Sequence, residues 1–262
     1  MGKVICVANQ KGGVGKTTTV VNVGASLAYL KKKTLIIDFD PQANATSGLG
    51  VDKKQINSTI YYPIIKAKDI KETIIPVFTA SLDQNLSLSP SNSDLTGAQV
   101  ELANLKGREK RLKEAIKPIV DEYEFILIDS PPSLGLLTVN ALSAADTVLV
   151  PVQCEYYAME GLSQLQQTIT LINSSLNPNL TVEGYLLTMF DQRNNLAHMV
   201  VKEMRAYFKD LVFSTIIPRS VRLAESPSHG LPGYFYDRNS VGALSYFSLA
   251  KEIIIRSGGK HS

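Results

Sequence analysis

Runs of consecutive apolar residues alternate along the chain with stretches in which apolar positions recur every three or four residues. Val4-Ile5-Cys6-Val7-Ala8, Leu35-Ile36-Ile37, Phe125-Ile126-Leu127-Ile128, Thr147-Val148-Leu149-Val150, Tyr185-Leu186-Leu187 and Ser214-Thr215-Ile216-Ile217 read as strands. Short runs with apolar residues at successive positions suit strands covered on both faces. From Lys16 to about Leu30, the residues Val20, Val23, Leu27 and Leu30 share one face of a helix. Residues 95–121 predict one or two charged amphipathic helices split near Gly107, and a last helix runs from about Gly242 to Ile255. Between about Gly50 and Pro90 the pattern weakens into turn residues and short apolar pieces. The alternation predicts an α/β fold: a doubly wound, mostly parallel twisted sheet with helices on both faces. No internal repeat or linker-like segment interrupts it. A single domain over residues 1–256 is expected, followed by a short polar tail at 257–262 that frays.

Composition narrows the class. A chain of 262 residues, 44% apolar and 19% charged, can bury the core of one large α/β domain or of two small ones. No apolar run approaches the ~18 to 20 residues of a membrane span. The start, MGKVICVANQ, lacks the charged and long apolar regions of a secretion signal. Gly2 is not a myristoylation signal, because Cys6 stands where Ser or Thr is needed. A soluble, cytoplasmic protein is expected. Cys6 and Cys154 lie far apart, each in or beside an apolar run, and read as reduced core thiols. His198, His229 and His261 form no nucleophile or metal pattern, and His229, in the turn PSHG, reads as structural. A net charge of +3 permits an anionic partner without requiring one.

Candidate chemistry collects where strands end. The first strand feeds NQKGGVGKTTT, residues 9–19. Backbone free of side chains wraps closely around a phosphate with its N–H groups inward; Gly12, Gly13 and Gly15 supply it, with Val14 between them. The helix starting near Lys16 adds its N-terminal dipole. Lys16 then reaches the β- and γ-phosphates, the Thr17 hydroxyl holds Mg²⁺, and Thr18 meets the α-phosphate. Yet the usual G-x-x-x-x-G-K-[ST] spacing fails, since Gln10 stands where the first glycine belongs and a second lysine, Lys11, follows it. IDFDPQAN (37–44) ends a strand in two acids. Asp40 is a candidate for orienting the attacking water or, indirectly, Mg²⁺, and Asp38 for the metal side. Acids before a proline also cap turns, and the residues leave both readings open. ILIDSPP brings Asp129, in the form of a Walker-B carboxylate that holds Mg²⁺. The three elements together predict a nucleoside triphosphatase.

These segments resemble the ParA/MinD group of deviant Walker-A ATPases, which are P-loop NTPases, and within it the chromosomal ParA branch often called Soj. The resemblance covers most of the chain: KGGVGKTTT (11–19), DFDPQANATSGLG (38–50), IDSPPSLGLLTVNAL (128–142), PVQCEYYAMEGLSQL (151–165) and IPRSVRLAESPSHG (217–230). The chain starts at its first strand, so the resemblance does not extend to the N-terminal helix-turn-helix of the larger plasmid ParA proteins. It implies that Lys11 contacts phosphate bound by a partner subunit, in a homodimer that sandwiches ATP. A cation reaching across an interface gains most of its attraction when the partner holds ATP, so nucleotide state becomes oligomeric state. It further implies weak intrinsic hydrolysis of ATP and water to ADP and phosphate, with Lys11, Lys16 and Asp40 as the catalytic set. IPRSVR is implied to fold over adenine through Pro218, Arg219 and Ser220; many relatives carry Asn at the position of Ser220. The remaining implications are a dimer that binds double-stranded DNA without sequence preference on the nucleoid, and a ParB-type centromere-binding protein that stimulates hydrolysis. The biological output would be chromosome or plasmid segregation.

Candidate DNA contacts are Arg193 in MFDQRNN, Arg219 and Arg222 in PRSVR, and Arg238 in YDRNS. Each also reads as an exposed arginine or a member of an ordinary ion pair. Where relatives often have G-K-P, this chain has Gly230-Leu231-Pro232, which removes a basic position, and aromatics replace aliphatics at Tyr234-Phe235-Tyr236. Lys31-Lys32-Lys33 suits the end of a helix, and KGREKRLKEAIK (106–117) suits a solvated face. The alternative function is a MinD-like, membrane-cycling positioning ATPase. The end of the chain, LSYFSLAKEIIIRSGGKHS, carries few cations for an amphipathic anchor, so no stable membrane association is expected. Asp40 and Asp129 disfavour a scaffold that binds ATP without hydrolysing it, and the two cysteines do not match iron–sulfur relatives.

Overall fold

The computed structural model describes residues 2–82, 84–155 and 158–258. Within them the apolar runs assemble into one sheet: β1 Lys3–Val7, β2 Thr34–Asp38, β3 Ile75–Pro76, β4 Leu86–Ser89, β5 Phe125–Asp129, β6 Thr147–Gln153 and β7 Thr181–Thr188. The strand order is β3-β4-β2-β5-β1-β6-β7. Neighbours run parallel except β3, which is antiparallel to β4. From β1 the chain steps to β2 on one side, and from β5 it crosses to β6 on the other. The carboxyl ends of β2, β5 and β1 therefore stand side by side at the switch of direction, where open α/β sheets bind ligands. The register sets Asp129 level with Asp38 on one neighbour and with Val7 on the other.

Alternating side chains divide the core into two layers. Val4, Cys6, Ile37, Ile126, Ile128 and Val150 pack in one layer with Leu95, Leu112, Leu137 and Met204 from the helices Leu95–Leu102, Arg111–Ile116, Leu136–Ala144 and Asn195–Phe208. Ile5, Val7, Ile36, Leu127 and Leu149 pack in the other with α1 (Lys16–Tyr29) and the last helix, Val241–Gly258. The expected face of α1 is the buried one, since Val20, Val23 and Leu27 all lie in that layer. Gly24 lets α1 approach closely: a Cβ there would come within 2.6 Å of Ile36 Cδ1.

The structure corrects the expected elements at three places. Ser214–Ile217 is not a strand; isolated bridges flank it, Val212 with Tyr185 of β7 and Pro218 with Phe190. The Glu252 carboxylate takes the N–H groups of Ser214 (2.8 Å) and Thr215 (3.0 Å), removing donors that a ladder would need. Conversely, the weak region before Pro90 holds β3 and β4, whose two and four residues are too few to display a period. The last helix continues to Gly258, so Ser257 and Gly258 of the expected tail are helical; residues 259–262, His261 among them, lie outside the described residues. The split near Gly107 is present, with a left-handed φ of 73°. Both cysteines are buried free thiols, and burial pushes the Cys154 thiol up to about 11. No helix among the described residues is long and apolar enough to cross a membrane.

Candidate nucleotide-binding site

The loop after β1 is pinned at several points and open between them. Asn9 donates to the Pro151 carbonyl at 2.7 Å and accepts from the Lys11 N–H at 3.0 Å, fastening the loop's start to β6. Val14 is buried, and its carbonyl accepts from the Thr188 hydroxyl at 2.9 Å, which ties the loop to the end of β7. Gly13 and Gly15 take φ of 74° and 91°, conformations that strain any other residue. A Cβ added at Gly12 or Gly13 would meet no atom within 4 Å. Packing within the protein therefore does not forbid side chains there; the bare backbone lines open space. α1 starts at Lys16 with no side-chain cap, leaving its first N–H groups available to an anion. Lys16 is 7% exposed and donates to the Lys11 carbonyl at 3.1 Å. Burial lowers its pKa, while the nearby charges of Asp129 and Asp40 oppose that shift.

Asp129 is fully buried, and among the described residues neither carboxylate oxygen has a hydrogen-bond partner of good geometry. Burial pushes its pKa well above the ordinary range and the Asp38 charge adds to this, while the neighbouring Thr17 hydroxyl pulls the other way. An orphaned carboxylate costs free energy unless something positive completes it. Mg²⁺ prefers one or two carboxylates together with phosphate oxygens and water rather than an all-protein cage. The residues present fit that demand: Asp129 and Thr17 at the mouth of the loop, and no group of three or more His, Cys, Asp or Glu among the described residues.

The two acids after β2 divide their tasks. Asp38 Oδ2 accepts from the Thr46 N–H at 2.7 Å and the Thr46 hydroxyl at 2.6 Å, and Oδ1 accepts from the Asp40 N–H at 3.3 Å. Burial raises its carboxyl to about 6, against these hydrogen bonds. Its acceptors serve the fold, holding the turn and the short helix Asn44–Gly48, which favours the capping reading of this residue. Asp40 is 7% exposed; its Oδ1 accepts from the Gln42 N–H at 2.9 Å, and its charge is felt at both Lys16 and Asp129.

Beside the loop lies a cavity of about 240 Å³ lined by Gly15, Thr18, Thr188, Met189, Ile217, Pro218, Arg219, Ser220, Leu223, Ala224 and Tyr246. Pro218, Arg219 and Ser220 thus meet Gly15 and Thr18 at one mostly apolar pocket, suited in kind to an aromatic base. The Ser220 hydroxyl also caps the helix Val221–Glu225, accepting from the Leu223 N–H at 3.4 Å. Thr188, Met189 and Tyr246 were not anticipated. Thr188 ends a parallel strand on the ligand side, a signal that could have been used. Tyr246 occupies an ordinary apolar position of its helix and gave none.

The candidate arginines differ in their engagement. Arg193 forms a two-pronged pair with Asp191, at 3.0 and 2.9 Å, which holds the Asp191 carboxyl down at about 2. Arg222 pairs with Glu225 at 3.1 Å and Asp237 at 3.5 Å. Arg238 is exposed and lies over the Tyr234 ring, 5.6 Å from its centre. Arg219 is exposed and makes no ion pair among the described residues. Lys32 pairs with Glu124, Lys33 covers the Tyr123 ring, and in the 106–117 run Arg108 pairs with Glu109 and Glu114 with Lys66. Lys11 pairs with Glu155 at 3.0 Å.

Comparison with known proteins agrees with this geometry. A family model described as an AAA domain matches residues 2–182. The chain is 53% identical over 260 residues to the chromosome partitioning protein ParA of Myxococcus xanthus, covering 99% of this chain and 90% of that one. It is 51% identical over 253 residues to the sporulation initiation inhibitor protein Soj of Bacillus subtilis, covering 97% and 98%. Among solved structures, the cobyrinic acid a,c-diamide synthase of Mycobacterium smegmatis, with bound ATP analogue and magnesium, superposes with a TM-score of 0.85 at 33% identity, covering 100% and 98%. A plasmid partition protein of Borrelia burgdorferi, so described provisionally and bound to AMPPNP, gives 0.82 at 27% identity, covering 98% and 100%.

Proposed function

Because this chain belongs to the ParA/Soj family of partitioning ATPases, we propose that it forms an ATP-sandwiched homodimer that binds double-stranded DNA without sequence preference and segregates a chromosome or plasmid. The observation that carries the reading is the division of labour between two lysines. Lys16 is buried at the mouth of the phosphate loop, whereas Lys11 stands at the surface on Glu155. A second lysine kept out of its own site is available to a neighbour's phosphate.

Asp129 and Thr17 are the residues that would hold Mg²⁺, which would supply neutralisation of the triphosphate's negative charge. Lys16 exchanges the Lys11 carbonyl for phosphate, a stronger, charge-assisted partner. Asp40, oriented by the Gln42 N–H, positions water for attack, since phosphoryl transfer depends mainly on positioning and electrostatics; in this reading hydrolysis by the chain alone is slow. A ParB-type centromere-binding protein accelerates it and releases the dimer from the nucleoid. DNA contact falls mainly to Arg219 and Arg238, which form no ion pair among the described residues. No stable membrane association is part of this reading.

The test is binding of Asp40→Ala to a random duplex with ATP or ADP across a salt series. Tight binding with ATP alone, weakened by salt and by Arg238→Ala, is expected. No DNA binding with either nucleotide, together with ATP-dependent pelleting on anionic liposomes, would replace this reading with a MinD-like membrane cycle.

A further inference from the structure

We propose that Glu155 is a positioning residue that holds Lys11 in reserve and so opposes dimerisation until phosphate in the facing subunit competes for the lysine. The inference rests on the dimer reading above. Lys11 is restrained at three atoms. Its ammonium lies 3.0 Å from Glu155 Oε2, its N–H donates to Asn9 at 3.0 Å, and its carbonyl accepts from Lys16 Nζ at 3.1 Å. Glu155 is itself held. Its Oε1 accepts from Gln153 Nε2, its N–H donates to the Gln153 carbonyl at 2.8 Å, and the preceding Cys154 N–H donates to the Thr188 carbonyl at 3.1 Å. The carboxylate is therefore presented from the carboxyl end of β6 at a fixed place.

Two of the three restraints yield to different phosphates. Phosphate in the chain's own loop draws Lys16 off the Lys11 carbonyl, because a charged acceptor outcompetes a neutral one. Phosphate in the facing subunit then competes with Glu155 for the Lys11 ammonium, two anions for one cation. A triphosphate, carrying more negative charge than one carboxylate, wins that exchange. With side chains 42% and 47% exposed, the ion pair is weak enough to be exchanged rather than to lock the lysine permanently. Each such latch opposes association by up to about fivefold. A symmetric dimer opens two, for up to about 25-fold.

Glu155→Gln keeps the size and the Oε1 acceptor for Gln153 and removes only the charge. Sedimentation velocity of a dilution series with AMPPNP and Mg²⁺ gives the monomer–dimer midpoint. The midpoint of Glu155→Gln is expected about 2- to 25-fold below wild type at low salt. The gap should close as salt screens the pair in wild type. A midpoint equal to or above wild type overturns the latch, as does a gap that salt does not change. Lys11→Ala in the same series separates the two readings. If it dimerises like wild type, the dimer reading falls. If it stays monomeric while Glu155→Gln matches wild type, only the latch falls.

Discussion

At the carboxyl ends of β1, β2 and β5 the candidate functional groups are buried, Lys16 and Asp40 on main-chain bonds and Asp129 unpaired; between residues 189 and 238 they are exposed and held largely by one another. Lys16, Asp40 and Asp129 sit at fixed places in a low-dielectric mouth, where an unpaired charge is costly and its partner is correspondingly well defined. Arg193 and Arg222 stand in solvent beside carboxylates of their own segment, where each interaction is worth little and is readily exchanged. The first region commits its chemistry on folding. The second leaves its chemistry to whichever anion arrives.

The largest effect should come from the buried lysine. Lys16→Ala is expected to weaken nucleotide binding about 100-fold, the loss of a charge-assisted phosphate contact. Lys11→Ala should leave the affinity of the isolated monomer within about twofold, since its ammonium is already engaged at the surface. Calorimetric titration of both variants below the dimer midpoint compares them directly. Equal losses would erase the distinction between the two lysines.

Asp129 tests the same region through stability. Asp129→Asn removes an unpaired buried carboxylate and should stabilise the nucleotide-free protein at pH 7 by about 1 to 3 kcal/mol, while abolishing the rise in Tm that MgATP gives wild type. Asp38 adds a pH signature. Its folded carboxyl, near 6, lies above the unfolded value, so its contribution is fully present below about pH 4 and is lost as pH rises through 6. The stability of wild type relative to Asp38→Asn should therefore decline across that window. A flat difference in thermal melts from pH 4 to 7 would contradict the assignment.

The phosphate loop, the strands bearing Asp38 and Asp129, and the doubly wound sheet were legible because each rests on local constraints. Glycines with positive φ, a helix start after a buried strand, and apolar runs ended by acids are all written in adjacent residues. What was not legible depends on distant partners. Glu252 intercepts the N–H groups of Ser214 and Thr215 from the last helix, turning a strand-like run into an irregular one. Tyr246 reaches the cavity from the same helix. Glu155 meets Lys11 from the end of β6. Nor could spacing tell which arginines carry their own counter-ions, because Arg222 finds Asp237 through the fold of the intervening turn.

That last point can be sharpened on the exposed side. Arg238→Ala should weaken ATP-dependent DNA binding about three- to tenfold and reduce the salt slope by about 1. Asp191→Ala, which frees Arg193 from its two-pronged pair, should strengthen binding about twofold. Filter-binding isotherms at several salt concentrations report both. If Asp191→Ala binds DNA less well, the pair orients Arg193 toward DNA rather than neutralising it.

The smallest effect separates the cavity from the cap within one residue. Ser220 lines the 240 Å³ pocket and also begins the helix Val221–Glu225 with a long, 3.4 Å hydrogen bond to the Leu223 N–H. A cap this long should contribute at the weak end of the capping range, so Ser220→Ala is expected to lower stability by about 0.5 kcal/mol. Ser220→Asn, an equally good cap, should restore it. If the hydroxyl serves only the helix, nucleotide affinity should be the same in all three proteins while the melting temperature falls in Ser220→Ala alone. A change in affinity without a change in melting temperature would mean that the hydroxyl reads the ligand. The exposed region would then contain one contact as specific as those at the buried end of the site.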